Sequence, residues 1–584
     1  MDVYFSKVAK SRLIRVLGVT GIFAILALMT ITQLRHHQML VDTDFIYHMS
    51  RIEAFSESVQ AHQWFDFRNF VTFNQIGVAN NYFYPYVYFW LWSLIYVFVG
   101  NPIWSYYIGL FLIMLVGLII TYVSVYYFSK SRFTGYLVAI FYMTTPYHVF
   151  LLNGQSVLGE VLAATFIPLY VLGVRELLRG SFKHWWVISV VLALTAYAHL
   201  LTLAIEVGLL LILYPLSIYG EKQRLRRFIN CLKAASLFLA LTIFFWVPFV
   251  QMLLRTPIQA TIKLTSVAWL NDFGTMINMM LTNGSINGIT ANPGIAALIA
   301  VGLIIGFWRR LSEDYRIVAI AGIVFLVGST SLFPWGIVPG QIQNIIQFPY
   351  RLYSLTSFCL LLTGARIVEQ LITKSENVGQ VNYFKKCTTL ILTGLCILLY
   401  MSLLNMNYRV KANNTPYTSA VAPKLKDAFN VRFRLDQHNY TTLFKSPRIF
   451  FGTIDYAPKA TWQEGYQESL IAHRVLMGHK TIRSTHQQNV QQITYRFKLK
   501  RASQVDVPVL HYGSEVVVVN GQRASAKSSK RGSTLISARA GNNTVTVSEP
   551  RPMSFVILLG LSIVTWIGLL GIIFKKWWLR DFKH

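Results

Sequence analysis

Long apolar runs alternate with short polar segments along most of the chain, and this pattern predicts a bundle of membrane-spanning helices. A helix needs about 20 residues to cross a bilayer, and we count twelve runs of about that length. They lie near residues 13–33, 103–128, 133–150, 157–177, 185–200, 202–219, 230–250, 293–308, 315–333, 351–372, 386–405 and 553–575.

Lys and Arg cluster before the first run and after alternate runs, a bias that is typical of cytoplasmic segments. Both termini are therefore predicted to be cytoplasmic. A thirteenth apolar run, 83–100, would put the basic segment 129–132 outside if it crossed the membrane completely. We predict instead that it inserts only partly, or re-enters on the same side.

The segment between the last two spans has a different pattern, with alternating runs such as "ITYRFKLK" (493–500) and hairpin-type turns such as "VNGQ". It predicts a β-rich domain outside the membrane. The predicted organisation is a transmembrane domain over 1–405 with its first outer loop at 34–82, a β-rich basic domain over 406–552, and a final helix with a basic cytoplasmic tail over 553–584.

Composition agrees with a multi-pass protein of the cytoplasmic membrane, since 54% of the residues are hydrophobic and only 13% are charged. The net charge of +29 follows the bias of cytoplasmic loops and does not indicate a nucleic-acid partner. The segment 406–552 has 22 basic and 8 acidic residues, a net charge of +14. It predicts either an anionic neighbour, such as lipid headgroups or an acidic polymer, or a merely solvated basic surface.

The stretch "VDTDFIYHMSRIEAFSESVQ" (41–60) follows the first span and is unusually rich in ionisable residues. A helix over 44–60 would place Asp44, His48 and Arg51 on one face. That face could look toward the bundle, with the apolar side on the membrane surface, or the helix could be an ordinary amphipathic surface helix. Asp42 and Asp44 together are a weak signal for a divalent metal.

More polar and aromatic residues fall at predicted outer ends of spans, where an ionisable group is costly without a partner. Arg351 lies at such an end against the usual charge bias, so a phosphate, a carboxylate or the lipid headgroups should pair with it. For His199, a purely structural role is the alternative to a role in the site. The predicted lining of a shared outer cavity is Asp42, Tyr84, Asn153, Gln155, His199 and Gln347, with Glu160 beside them.

Three stretches resemble the GT-C class of membrane glycosyltransferases, and most closely the bacterial membrane proteins described as YfhO-like or as 6-pyruvoyl-tetrahydropterin synthase-related. They are "DFIYHMSRIEAF" with the following "YFYPYVYFWL", "PYHVFLLNGQSVLGEVLAATFIPLYVLG", and "IQFPYRLYSLTSF". The resemblance implies a polyprenyl-phosphate-linked sugar as donor, an inverting transfer outside the cytoplasmic membrane, and a cell-surface acceptor.

The resemblance also implies site roles. Asp44 matches a first-loop aspartate that acts as base or as a metal-linked carboxylate, His48 and Arg51 match the polar positions after it, and Glu160 matches an acidic residue of the second outer loop. Some relatives use a divalent metal and many need none, so a metal at Asp42 and Asp44 stays open.

The chemistry of such a transfer needs a base at the acceptor hydroxyl and cations at the leaving phosphate. Asp44, His48 and Glu160 are the catalytic candidates, while Arg51 and Arg351 are the candidates for binding the donor phosphate. A flippase for a lipid-linked saccharide and a non-catalytic scaffold for cell-wall polymer are the alternatives. The enzyme hypothesis requires that Asp44 and Arg351 face one common cleft.

Overall fold

The fold is known from a computed structural model, in which each apolar run predicted to span the membrane contains a helix or a bent pair of helices. The described residues are 2–41, 44–219, 221–259, 270–284, 290–373, 377–414, 433–437, 439–440, 444 and 454–581. The helices at the twelve runs are Asp2–Thr30, Pro102–Ser129, Arg132–Met143 with Pro146–Gly154, Leu158–Ala164 with Ile167–Leu178, Trp186–Ala196, Leu200–Ile218, Arg224–Arg255, Ile295–Phe307, Glu313–Gly328, Tyr353–Ile372, Val378–Asn414 and Met553–Asp581.

Within the described part of the chain, six helices are long and apolar enough to cross a membrane alone, or up to eight if each bent pair is one span. The prediction of a polytopic helical membrane protein is therefore confirmed. The count of twelve spans stays a prediction, because several of the remaining helices are shorter than a bilayer is thick.

Both bent helix pairs bend at a proline-containing break, and these bends shape one end of the bundle. Arg132–Met143 meets Pro146–Gly154 at 44°, and Leu158–Ala164 meets Ile167–Leu178 at 43°. Pro146 cannot continue the preceding helix, and it begins a new one whose first turn is capped by the side chain of Thr145. The second half of the first pair ends in a π-helical turn, so the chain between the two pairs turns sharply and places Glu160 near the end of the bundle.

The ambiguous run 83–100 forms a helix, Val87–Val99, that is too short to cross a bilayer. Its 13 residues rise about 20 Å, against a hydrocarbon core of about 30 Å. Gly100 ends it in the left-handed region at φ +69°, and Asn101 then caps the long helix Pro102–Ser129 with its side chain. These bounds favour the partly inserted form predicted from the charge pattern.

The region before the final helix is a β-sandwich of two five-stranded antiparallel sheets, which confirms the predicted β-rich domain. Alternate residues of the strands point into one apolar core between the sheets, as Tyr495 and Val545 do. The strand orders are Gln522–Arg523, Val516–Val519, Gly541–Ser548, Gln492–Leu499, Ser484–Gln488 in one sheet, and Lys527–Ser528, Ser533–Ala538, Ser503–Leu510, Val475–Met477, Lys480–Ile482 in the other.

The predicted boundary at residue 405 falls inside a helix, because Val378–Asn414 continues past the apolar run through "NYRVKANN". Short strand pairs also join the C-terminal region to the membrane part. Met39–Val41 pairs with Phe433–Leu435, and Ile258–Gln259 pairs with Ala457–Pro458. These strand pairs connect the C-terminal region to the membrane part at two positions.

The loop between Gln60 and Val87 is anchored on the sandwich by a fully buried arginine. Arg68 lies 3.3 Å from Glu515 and 3.6 Å from Glu549, and its Nε donates to the carbonyl of Gly77 at 2.9 Å. The hydroxyl of Tyr82 also donates to Glu549 at 2.8 Å. This anchoring fixes the loop that carries the aromatic residues of the candidate site.

Candidate functional site

The helix Phe45–Gln60 carries the first group of candidate residues, and it is buried in the protein rather than lying on the membrane surface. Its apolar residues Ile46, Met49, Ile52 and Phe55 belong to the main core. The expectation that they rest on the membrane surface is wrong, because the loop and the helix Val87–Val99 cover them. An amphipathic surface helix is excluded for the same reason.

Arg51 is completely buried and holds the loop that follows this helix. Its Nε and Nη2 each donate to Asn81 Oδ1 at 3.2 Å, and Nη2 also donates to the carbonyl of Pro85 at 2.8 Å. Nη1 has no hydrogen-bond partner among the described residues. Burial lowers the pKa of Arg51, and the guanidinium lies over the ring of Tyr84 at 4.9 Å.

His48 stacks on Phe89 with ring centres 4.8 Å apart, one helical turn before Arg51. Burial holds its pKa well below the usual range, and the charges of Arg51 and His199 lower it further. The imidazole is therefore neutral at physiological pH. Its Nδ1 has no hydrogen-bond partner among the described residues, so it can serve a polar ligand.

Tyr84 is the residue around which the predicted site comes together. Its ring lies 5.9 Å from that of His48 and 6.5 Å from that of His199. Burial raises the pKa of its hydroxyl, and the charges that act on it are those of Arg51, Asp44, Arg351 and Glu160. Residues from the first loop, the bent helices and a late helix thus surround one phenol.

Arg351 finds a carboxylate partner in Glu160. Its Nε donates to Glu160 Oε2 at 3.0 Å, and the two side chains are 9% and 5% exposed. The other oxygen of Glu160 accepts from the hydroxyl of Tyr147. Arg351 Nη1 donates to Gln347 Oε1 and to the carbonyl of Ile346, each at 2.9 Å. The arginine is therefore fixed in one orientation.

The charges of Asp44 and Arg351 affect the same two tyrosine hydroxyls. The hydroxyls of Tyr84 and Tyr350 both lie within the electrostatic range of Asp44, Arg351 and Glu160. Asp44 is exposed, whereas the ion pair is nearly buried. Tyr84 and Tyr350 are therefore neighbours that the two residues share, and the common cleft of Asp44 and Arg351 stays a prediction.

His199 begins the helix Leu200–Ile218 and serves as its N-cap. Its Nδ1 accepts from the backbone N–H of Thr202 at 3.4 Å, so the neutral ring keeps its proton on Nε2. The side chain of His199 is buried. The capping role matches the structural alternative, and the ring still faces Tyr84.

One predicted lining residue lies inside the bundle, one stays a prediction, and one is outside the described residues. Asn153 donates to the carbonyl of Thr30 at 3.2 Å, and its own carbonyl accepts from Asn407 at 2.9 Å, so it ties helix ends together inside the bundle. The prediction that it lines the cavity of Asp44 does not fit these contacts. Gln155 is half-buried and ends the π-helical turn. Asp42 is outside the described residues.

Sequence reasoning missed two residues that the C-terminal region brings to the site. The ring of Tyr456 lies 6.3 Å from that of Tyr84, and the hydroxyl of Tyr456 is in range of the charges of Asp455 and Asp44. Tyr456 has φ +59°, and its carbonyl accepts from the Tyr512 hydroxyl at 2.9 Å. An acid beside an aromatic residue in "TIDYAPKATW" was the available signal.

A metal site was tested on the donor atoms present. Over the described part of the chain, no three residues among His, Cys, Asp and Glu come together as metal ligands would. Asp44 therefore has no described set of ligands with which to share a metal.

Fold and site together define a polytopic membrane protein that has ionisable and aromatic residues clustered around Tyr84 and a β-sandwich before its final helix. The chain belongs to the membrane-protein family described as the 6-pyruvoyl-tetrahydropterin synthase related domain, which matches residues 80–409. This confirms the family resemblance seen in the sequence. No curated protein matches the chain.

Among the solved structures that match is arabinofuranosyltransferase AftD from Mycobacteria, determined by single-particle cryo-EM. It is 16% identical, with a TM-score of 0.41. The alignment covers 67% of this chain and 28% of the AftD chain, so this protein corresponds to less than a third of that structure.

Proposed function

We propose that the protein is a glycosyltransferase of the GT-C class that moves a sugar, with inversion, from a polyprenyl-phosphate donor to a cell-surface acceptor on the outer face of the membrane. The observation that supports this most is the cluster of residues around Tyr84, whose hydroxyl lies within the electrostatic range of the exposed Asp44 and of the nearly buried Arg351. A donor that is half lipid and half sugar phosphate needs such a charged cluster at the edge of a bundle.

Asp44 is the general base of the proposed reaction. Its carboxylate accepts the proton of an acceptor hydroxyl while that oxygen forms a bond to the anomeric carbon of the sugar. The bond from that carbon to the phosphate oxygen breaks on the opposite side, which inverts the configuration. The polyprenyl phosphate leaves with the electron pair. Asp44 is exposed at the start of its helix, which suits contact with an acceptor.

Arg351 binds the leaving phosphate in this scheme, and Glu160 holds it until the donor arrives. Guanidinium is a fork-shaped donor that suits either a carboxylate or a phosphate. The phosphate competes with Glu160 for the same N–H groups, and Gln347 keeps the arginine in position during the exchange. Arg51 adds positive charge from the other side of Tyr84.

The sugar ring lies against aromatic side chains. Tyr47, Tyr84 and Tyr456 surround the space beside His48, and the Tyr47 hydroxyl and His48 Nδ1 have no hydrogen-bond partners among the described residues. Unpaired polar atoms next to ring faces suit a ligand that is apolar on its faces and hydroxylated at its edges.

The acceptor is an anionic surface glycan, such as a polymer of the teichoic type, bound by the basic sandwich. Two acidic side chains of the sandwich, Glu515 and Glu549, are buried against Arg68 of the first loop, whereas the buried pair of Asp506 and Arg531, 2.9 Å apart, leaves the surface charge unchanged. The surface is therefore even more basic than the net charge of +14 for 406–552 suggests.

The test is transfer by the purified protein in a bilayer, using radiolabelled polyprenyl-phosphate sugars and membrane-derived acceptor. We expect labelled product from the wild type and none from Asp44→Asn. Asp272→Asn is the matched control, because Asp272 caps a helix elsewhere and its variant should keep the activity. Movement of the labelled lipid between leaflets without any transfer would contradict the proposal and support a flippase.

A further inference from the structure

A second buried carboxyl lies in the membrane part, beside the pair of Arg351 and Glu160. Glu206 is on the helix Leu200–Ile218, two turns after His199, and is 1% exposed. It lines a cavity together with Thr202, Ser354, Arg351 and Glu160. The proposed mechanism makes no use of it.

Glu206 has no compensating charge. None of the ion pairs among the described residues includes it, and neither of its oxygens makes a hydrogen bond of good geometry, although the hydroxyl of Thr195 is a neighbour. The Ser354 hydroxyl, which lines the same cavity, is also buried without a partner. Two unsatisfied polar groups thus face one enclosed space.

The charges of this cavity balance only if Glu206 is neutral. Glu160 and Arg351 cancel each other at 3.0 Å, so an ionised Glu206 would leave one uncompensated negative charge inside the membrane. Such a charge is strongly disfavoured, and the group takes up a proton instead. A resident metal cation is less suitable, because no three residues among His, Cys, Asp and Glu come together as metal ligands in the described part of the chain.

We propose that Glu206 is a proton-binding site within the membrane, and that its proton sets the net charge of the cavity it shares with Arg351. The other titratable groups around it are Glu160 and Arg351, His199 on its own helix, and the phenols of Tyr142 and Tyr170 from neighbouring helices. The phenols carry no charge at neutral pH.

The consequence for ligands rests on the proposed function. A lipid phosphate that approaches Arg351 meets a neutral cavity while Glu206 holds its proton, and a repelling carboxylate once the proton is lost. Binding of an anionic lipid should therefore weaken as Glu206 deprotonates.

Dicyclohexylcarbodiimide labelling tests the site without any reference to transfer. The reagent adds to a protonated carboxylic acid, whose proton moves to a carbodiimide nitrogen, and the adduct rearranges to a stable acylurea that peptide mass spectrometry can locate. With the full-length protein in nanodiscs at neutral pH, we expect Glu206 to be labelled at least tenfold more than Glu160 or Glu369. The last two are internal controls, since each is paired with a cation at about 3.0 Å.

Glu206→Gln should abolish the label at this position, and Glu206→Asp should keep it. In addition, the infrared carbonyl band of a protonated carboxyl should be present in the wild type and missing from Glu206→Gln. This band reports the proton on Glu206 even if the reagent does not reach the cavity. Absence of that band, or loss of labelling when sodium is added at constant pH, would overturn the proposal, the latter in favour of a metal cation. Both readouts are independent of transferase activity.

Discussion

The Nε of Arg351 lies 3.0 Å from Glu160 Oε2, although 191 positions separate the two residues in the chain. The pair joins the start of the helix Tyr353–Ile372 to the second bent helix pair. Because both side chains are nearly buried, each one needs the other for compensation. The contact therefore fixes the basic side of the pocket around Tyr84.

Removing one partner of this pair should destabilise the protein by about 3–5 kcal/mol, since the other charge is left buried and unpaired. We expect this loss for Arg351→Gln and for Glu160→Gln, and a smaller loss for the double variant than for the two singles added together. Thermal unfolding in detergent is the measurement, and Arg309→Gln is the exposed control. Additive losses would mean that the two side chains do not interact.

Arg68→Met should release the first loop from the sandwich. The substitution leaves Glu515 and Glu549 without their buried cation, at a cost of about 3 kcal/mol or more. Hydrogen exchange should show faster opening of residues 61–86. Arg496→Met removes an exposed arginine of the same sandwich and should change stability by less than about 0.5 kcal/mol. Equal exchange in both variants would contradict the anchoring role.

The contact between His473 and the loop should weaken in acid. Its Nε2 lies 2.9 Å from the carbonyl of Asn74, and burial, with the charge of His486, lowers its pKa to about 3. The unfolded chain takes up a proton below about pH 6.5 and the folded one does not, so this stabilisation is complete above pH 6.5 and declines as the pH falls toward 3.

At pH 5.5 the loss should be about 1 kcal/mol, seen as lower hydrogen-exchange protection factors in residues 61–86, each taken relative to the intrinsic exchange rate at the same pH. His473→Gln should remove most of this pH dependence, whereas His479→Gln, at an exposed turn, should keep it. Protection factors that are equal at pH 7 and pH 5.5 would refute the account of His473.

Asp44→Asn should lower the rate of sugar transfer without lowering the stability of the protein. The side chain is exposed, so the free energy of unfolding should change by less than about 0.5 kcal/mol. The rate of sugar transfer should fall by about 10²–10⁴-fold, the usual contribution of a general base. If the variant lost stability as well as transfer activity, Asp44 would have a structural role.

Binding of an anionic polymer to the sandwich should depend steeply on salt, because exposed charges are screened over about 8 Å at physiological ionic strength. We expect retention on immobilised teichoic-type polymer at low salt and release at high salt, with a neutral glucan as the control. Retention that does not change with salt would argue against an electrostatic acceptor surface.

Much of the fold could be predicted from the sequence because a bilayer demands long apolar runs, and each of the twelve runs contains a helix. Likewise, the helix over 44–60 that would put Asp44, His48 and Arg51 on one face is present as Phe45–Gln60. The partner of Arg351 was predicted only as a carboxylate or a phosphate. Its identity depends on how two distant helices meet, which periodicity does not encode.

Other features could not be read from local patterns. Tyr456 and Asp455 reach the pocket only because a short strand pair joins 258–259 to 457–458. The helix that ends at Asn414 continues through polar residues that hydropathy assigned to the next domain. Glu206 was visible as a single acid in a predicted span, but whether it faces lipid, a cation or a cavity depends on tertiary packing.

The most direct test of the central claim is a cryo-EM structure of the protein with a bound polyprenyl-phosphate sugar analogue. The account predicts phosphate density within hydrogen-bond distance of Arg351, Glu160 moved away from the guanidinium, and the sugar lying against Tyr84 on the side of Asp44. Phosphate density in a compartment that Asp44 does not reach, with the ion pair of Arg351 and Glu160 intact, would contradict it.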